Sequence, residues 1–375
     1  MKVGLCIERF DPVRGGRERS TAEIASALAA RGCDVDVVCM TGGDGPAGVN
    51  VVALKPWGLG RTHRFRRFVA AARRRCAAGG YDVTHAMFPL PGAAVYQIRG
   101  GTLPAQREAY LRLRGATELL GRLAWPLNRL RALQGRLEAR VMRDPAARIL
   151  PVSAMVAGEV RTHYRREARV RVVGNGVAVP AVDDARRAAW RREVRGAWGL
   201  VDGDVALVCP AVNFELKGVG PLIDAFERGG RRPGGEALKL ILLGPQPRRR
   251  RGVDGEKVRV VGTVPNIWPV YAAADAVVLL SWYDACSRVV LEAVAMGVPC
   301  VTTRFNGAAD LLADGAGRVV AGPHAADEVV DALLALADPA ARAAAAAACA
   351  PLAERVTMKR HVDELMAVYA EVVGS

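Results

Sequence analysis

Short apolar runs recur along the first half of the chain, separated by longer segments of mixed polarity. Residues 3–7, 34–38 and 51–54 have the length and β-branched content of strands, and residues 83–85 end a fourth. Residues 18–31 and the basic stretch 63–77 carry apolar positions at helical spacing between them. This strand–helix alternation predicts a parallel, doubly wound sheet. Residues 105–145 then read as two or three helices without a strand, broken near Pro126. Residues 149–152 return to strand, Ser153 stands as the cap of a helix over 154–164, and 170–173 read as a further strand.

A linker rich in Gly, Pro and Asp centres on 174–186. A second alternating series follows, with strands at 205–208, 238–243, 258–261, 276–280, 300–303 and 318–320. Helices fall between them at 220–228, 267–274, 287–296, 308–313 and 327–337, and the alanine-rich segment 340–350 is a strong helix former. The last helix, 361–373, places Val362, Leu365, Met366 and Tyr369 on one stripe. The expected fold class is α/β, two Rossmann-like, doubly wound parallel-sheet domains facing across a cleft. Ligands of such sheets bind at the carboxyl ends of the strands. The expected domains are 1–174, joined by a C-terminal helix at 356–375, and 175–355.

Composition narrows the class. A chain of 375 residues is long enough for two cores, and 51% hydrophobic residues with slightly positive mean hydropathy fit a folded globular protein. No apolar run reaches membrane-spanning length. The opening MKVGLCIERF reads as a strand ending in charge rather than a signal peptide. Eight cysteines show no CxxC pair, which suggests reduced core thiols and a cytoplasmic location. The net charge of +15 comes almost wholly from arginine in an alanine-rich chain, a bias that GC-rich coding also produces. Its distribution says more than its total. Residues 55–75 contain no acid, and a second arginine-rich stretch runs from 107 to 148. The basic face suggests an acidic partner, such as a phosphorylated or lipid-linked glycan, the anionic inner face of a membrane or nucleic acid; a solvated helix face is the other reading. Aromatics are only 5% of residues and do not interleave with the basic runs, which disfavours nucleic acid.

The segment SWYDACSRVVLEAVAMGVPC at 281–300 carries the most specific chemistry. An apolar strand runs into a polar turn holding Asp284, and a helix follows with Glu292 among valines, leucine and alanine. A carboxylate in so apolar a helix needs a partner if buried, and paired sugar hydroxyls provide one. Ser287 stands at the helix start, where the N–H groups of 286–288 can face a phosphate. Lys217 lies between a strand and a helix, where a diphosphate can be neutralised by the ammonium and the helix dipole together. Gly15-Gly16 precede the first helix, without the third glycine of a dinucleotide fingerprint. His85 ends a strand and is expected to be exposed at the cleft, and Arg99 can meet an acidic acceptor or stand in solvent. No metal-ligand spacing, GxSxG or P-loop pattern occurs.

These residues resemble a retaining glycosyltransferase of the GT-B fold, family 4, over nearly the whole chain. Within that family the similarity is greatest to lipopolysaccharide core glucosyltransferases. The resemblance rests on Gly15-Gly16, DVTHA (82–86), ILPVSAMV (149–156), VVGNGV (172–177), NFELKG (213–218), VYAAADAVVLLS (270–281) and the acid pair. The family motif Glu-x7-Glu appears here as Asp284-x7-Glu292. The resemblance implies that Glu292 binds ribose hydroxyls, Asp284 the donor hexose and Lys217 the diphosphate. Gly16, Asn213, Ser287 and Arg288 would complete the donor site, with Gly15 and Arg99 on the acceptor side and His85 as a catalytic group beside Asp284 and Lys217. It implies transfer of a hexose, glucose from a UDP-sugar, to a lipid-linked or phosphorylated glycan, with retention and with neither a metal nor a cofactor. A non-catalytic sugar-nucleotide-binding scaffold on the same fold is the alternative. Three departures stand out: Asp284 is one methylene shorter than Glu, Val212, Asn213 and Phe214 stand where many members carry an arginine, and Gln97-Ile98-Arg99 replaces a histidine.

Overall fold

Six parallel strands form the sheet of the first unit: β1 (Lys2–Phe10), β2 (Asp34–Gly42), β3 (Val49–Ala53), β4 (Val83–Ala86), β5 (Val95–Ile98) and β6 (Arg148–Pro151). Their order is β3-β2-β1-β4-β5-β6. The structure is a computed structural model describing residues 1–12, 15–117, 125–245, 255 and 257–374. Alternation along β1 divides its side chains between two faces. Val3, Leu5 and Ile7 join one apolar cluster with Ile24 and Leu28 of helix α1 (Gly16–Ala29). Cys6 faces the other cluster, where Phe65 and Phe68 of α2 (Gly60–Ala78) pack with Phe88.

Helices α3 (Leu103–Arg114) and α4 (Arg129–Arg143) occupy much of the strandless region, and the break expected near Pro126 falls in a 3-10 turn at Trp125–Leu127. Ser153 caps α5 (Ala154–Tyr164), its hydroxyl accepting the Val156 N–H at 3.2 Å. The strand expected at 170–173 does not form. Val170 makes a single bridge to Ile149, and only Arg171 and Val173 donate N–H bonds back to β6. The neighbouring residue on β6 is Pro151, which has no N–H with which to continue a ladder.

The second unit repeats the topology. Its strands are β7 (Val205–Pro210), β8 (Leu238–Leu243), β9 (Val258–Gly262), β10 (Ala276–Leu279), β11 (Cys300–Thr303) and β12 (Gly317–Val320), in the order β12-β11-β10-β7-β8-β9. Helix α6 (Asp184–Ala197) starts inside the segment read as linker and was not foreseen. Its Arg191 and Arg195 pair with Asp275, which also accepts the Ala206 N–H, so one carboxylate ties the helix to the sheet. The remaining helices are α7 (Val219–Gly229), α8 (Trp268–Ala273), α9 (Arg288–Ala295), α10 (Ala326–Ala337) and α11 (Pro339–Cys349). Residues 308–313, expected as a helix, form one 3-10 turn at Ala309–Leu312.

The last helix, α12 (Met358–Val373), belongs to the first unit, which comprises Met1–Ala178 and Met358–Ser375; the second is Val179–Thr357. Val362, Leu365 and Tyr369 enter the cluster of α1, with Met366 packed at its edge. No single described helix is long and apolar enough to cross a membrane.

Candidate active site

Lys217 is placed by a tight turn whose hydrogen bonds are local. Asn213 accepts the Leu216 N–H on its side-chain oxygen and the Lys217 N–H on its carbonyl, both at 3.0 Å. Asn213, expected at the donor, therefore also shapes the loop. Gly218 follows with φ 65°, and a Cβ there would lie 2.0 Å from the carbonyl oxygen of Leu280. Both the left-handed backbone and the close approach demand glycine. Trp282 donates its N–H to Leu216 O at 2.9 Å, so the lysine loop is clamped to the chain leaving β10. That clamp brings Lys217 Nζ onto Asp284 Oδ2 as an ion pair, the two side chains 21% and 18% exposed.

Asp284 is fixed from the opposite side. Its N–H donates to Phe305 O, its carbonyl accepts the Gly307 N–H, and its Oδ1 accepts the Cys286 N–H at 3.3 Å. Asn306 accepts the Ser287 and Ala308 N–H groups and donates to Thr302 Oγ1. The N–H groups of 286 and 287, expected free to hold a phosphate, are thus already satisfied within the protein. Ser287 occupies the N-cap position of α9 without a side-chain cap bond. Glu292 is buried, accepting Tyr271 OH at 2.9 Å on one oxygen and pairing with Arg288 at 3.2 Å on the other. Burial, then the Glu292 carboxylate, push the Tyr271 phenol well up, which keeps it a donor. Burial also pushes the Cys209 thiol up to about 12, although the nearby Lys217 charge opposes this.

The second unit therefore gathers Asn213, Lys217, Asp284, Ser287, Arg288 and Glu292 around the ends of β7 and β10. Two supporting residues escaped the sequence reading. Tyr271 lies within the apolar VYAAADAVVLLS segment, and Asn306 sits in an Asn-Gly step without an obvious motif. Their signal was a polar atom in an otherwise buried context, visible only once burial is known.

The first unit corrects two expectations. His85 is not exposed: it is fully buried, and Nδ1 bonds Tyr369 OH at 2.6 Å. Strand alternation puts it on the same face as Val83, beneath α12. Burial, then the Arg99 charge, push its pKa down to about 3, so it is neutral at ordinary pH. Arg99 is also buried and not solvated; its guanidinium donates to Ser20 Oγ and, at 3.5 Å, to Gln97 Oε1. Gly15 is the N-cap of α1 and Gly16 its first residue, two residues before the start read from the sequence. A Cβ on Gly15 would come within 2.8 Å of Glu18 Oε2, so the helix's own third-position carboxylate lies over its N-terminus. Among the described residues, no group of three or more His, Cys, Asp or Glu side chains could hold a metal.

This architecture belongs to a known class. The family described as Glycosyltransferase Family 4 matches residues 14–179, and the one described as Glycosyl transferases group 1 matches 204–339. The chain belongs to the group 1, family 4 glycosyltransferases: retaining enzymes of the GT-B fold that transfer sugar from a nucleotide sugar. It is similar to a D-inositol 3-phosphate glycosyltransferase of Pseudarthrobacter chlorophenolicus, 29% identical over 84% of this chain and 80% of the relative. In structure it is similar to WaaG, a glycosyltransferase involved in lipopolysaccharide biosynthesis, with a TM-score of 0.78 at 20% identity over 98% and 99% of the two chains. It is also similar to Anabaena HepE in complex with UDP-glucose, with a TM-score of 0.69 at 18% identity over 99% and 100%.

Proposed function

We propose that the enzyme moves a hexose, glucose from UDP-glucose, to a phosphorylated or lipid-linked acceptor glycan. The observation that carries this is the Lys217–Asp284 ion pair, with Glu292 held nearby by Tyr271 and Arg288. In this reading the diphosphate takes Lys217 away from Asp284, which frees the carboxylate to accept hydroxyls of the hexose. Glu292, already oriented, accepts from the ribose. As the bond to the anomeric carbon breaks, Lys217 faces the charge that develops on the leaving diphosphate, a preorganised electrostatic contribution. The shorter Asp284 still reaches Lys217 as an ion pair, which supports an enzyme over a scaffold. The UDP-glucose bound by HepE and the phosphorylated acceptor in the inositol phosphate relative's name support the choice of donor and acceptor class.

We also propose attachment to the anionic inner face of a membrane. Trp57 and Leu59 are 67% and 79% exposed beside α2, whose Arg66, Arg67, Arg73 and Arg74 are exposed as well. Exposed apolar anchors among cations suit a lipid surface.

The test is a panel of UDP- and GDP-sugars assayed for slow hydrolysis and thermal stabilisation. A response to UDP-glucose above the rest is expected, and folded protein that answers no nucleotide sugar would sink the reading.

A further inference from the structure

The sequence contains no CxxC pair, yet the fold brings two cysteines 70 residues apart into contact. Cys6 stands in the middle of β1 and Cys76 in the last turn of α2. Their Sγ atoms lie 3.4 Å apart, beside the apolar cluster of Phe65 and Phe68. All eight cysteines lie among the described residues, and seven of them are buried. Cys76 is the half-buried one, and it lines an open cavity of about 660 Å³ around the amino ends of β4 and β5. Arg73, Arg74, Tyr81, Asp82 and Thr84 supply the polar part of its wall. A small oxidant therefore reaches Cys76 from solvent, while Cys6 behind it is closed to solvent.

Their surroundings give the two thiols different characters. The hydrogen bond from Cys6 pushes the Cys76 thiol down, against burial and with help from the Arg75 charge. That same bond, then burial, push the Cys6 thiol well up, and its Sγ also lies 3.9 Å from Gly4 O. Arg75 is itself steadied by Asp36 at 2.9 Å, and Asp36 also accepts Tyr81 OH at 2.6 Å. The carboxyl end of α2 opposes a thiolate, so the contact with Cys6 is what favours one here. Cys300 and Cys349 make the contrast. Both are buried, burial pushes both up, and each donates to a carbonyl, Val298 O at 3.6 Å and Ala345 O at 3.4 Å.

We propose that Cys6 and Cys76 form an oxidation site, at which a peroxide converts the two thiols to a reversible disulfide between β1 and α2. The Cys76 thiolate attacks one peroxide oxygen and the O–O bond breaks. Cys76 becomes a sulfenic acid, and the hydroxide that leaves recovers the proton Cys76 had lost. The Cys6 sulfur then attacks the Cys76 sulfur, the S–O bond breaks, and the departing hydroxide takes the Cys6 proton. Two thiols and one hydrogen peroxide thus give one disulfide and two waters. Helix ends fray, which lets Cys76 close the remaining gap. An accessible attacking thiol beside a resolving one is the arrangement of a redox sensor, and disulfides in reducing compartments are chiefly transient ones of this kind.

The reduced full chain is exposed to graded hydrogen peroxide, denatured, alkylated and mapped by mass spectrometry. Two of the eight cysteines should escape alkylation, with the peptides that hold Cys6 and Cys76 joined. Their loss should run at least about tenfold faster than that of any other cysteine, because the thiolate is the nucleophile. Dithiothreitol should restore all eight thiols. Cys76→Ser, at a half-buried position, should fold and should keep Cys6 alkylable at the same dose. Cys6→Ala should slow the loss of Cys76 about tenfold and leave it as a sulfenic acid that dimedone traps. The wild-type map decides the question by itself should this core variant not fold. A pair oxidised no faster than the remaining cysteines, a disulfide between other cysteines or between two chains, or oxidation of Cys76 that leaves Cys6 alkylable in the wild type would each overturn the proposal.

Discussion

The two units share one strand order, read from opposite ends of the list of strands, yet they treat polar residues near the strand ends differently. In the second unit, Lys217 and Asp284 stand partly exposed and are held by backbone clamps from two neighbouring loops. In the first unit, His85, Gln97 and Arg99 are sealed beneath a helix that returns from the far end of the chain. The same topology thus makes a partly exposed polar edge in one place and a buried polar layer in the other. Which it becomes depends on the element packed over that face, not on the strand that carries the residue.

The sharpest way to break this comparison is to remove the lysine. Lys217→Ala should lower turnover of the nucleotide sugar by roughly 10²–10³-fold, the usual cost of losing one preorganised charge stabiliser. A steady-state assay showing less than a fivefold loss would move the active edge elsewhere. Arg288→Ala comes next. It leaves Glu292 buried beside a single hydroxyl, and breaking such a pair costs about 3–5 kcal/mol. Urea unfolding should show the loss, and Tyr271→Phe should show a smaller one of about 1–2 kcal/mol.

The sealed layer makes a prediction with a definite sign. His85 is depressed to about 3 and His361 falls well below its usual value, in both cases chiefly by burial. The unfolded chain binds these protons near pH 6.5 and the folded chain does not. Stability from this layer is therefore complete above about pH 6.5 and is lost as pH falls towards about 3. Each histidine contributes a slope of up to about 1.4 kcal/mol per pH unit in that window. Denaturant unfolding between pH 4.5 and 7 should show it, and His85→Gln should flatten the slope by about one proton. The smallest effect belongs to the cap: Ser153→Ala should cost about 1 kcal/mol of stability.

Much of this was legible in the chain. Periodicity located the alternating strands of both sheets, and the boundaries of β8, β11 and α5 agree with the sequence reading to the residue. Helix α6 was missed because its Asp183 cap lies in the Gly-, Pro- and Asp-rich segment read as linker. The strand at 170–173 failed because pairing depends on the partner: Pro151 cannot donate, and Val170 gives no hint of that. At the candidate site, Lys217, Asp284 and Glu292 announced themselves by residue type and position. Tyr271 and Asn306 did not, because their roles arise from contacts 21 and 19 residues away along the chain. His85 misled for a related reason. A strand-end histidine suggests exposure, but the covering helix lies 284 residues further on.

The central claim is that the second unit binds the diphosphate of a nucleotide sugar through Lys217. It is tested most directly by the ratio of dissociation constants for UDP and uridine, measured by calorimetry on the wild type and on Lys217→Ala. The account predicts that the wild type prefers UDP by at least about tenfold. In the variant that preference should collapse towards unity, with uridine affinity little changed. An equal preference for UDP in both proteins would contradict it.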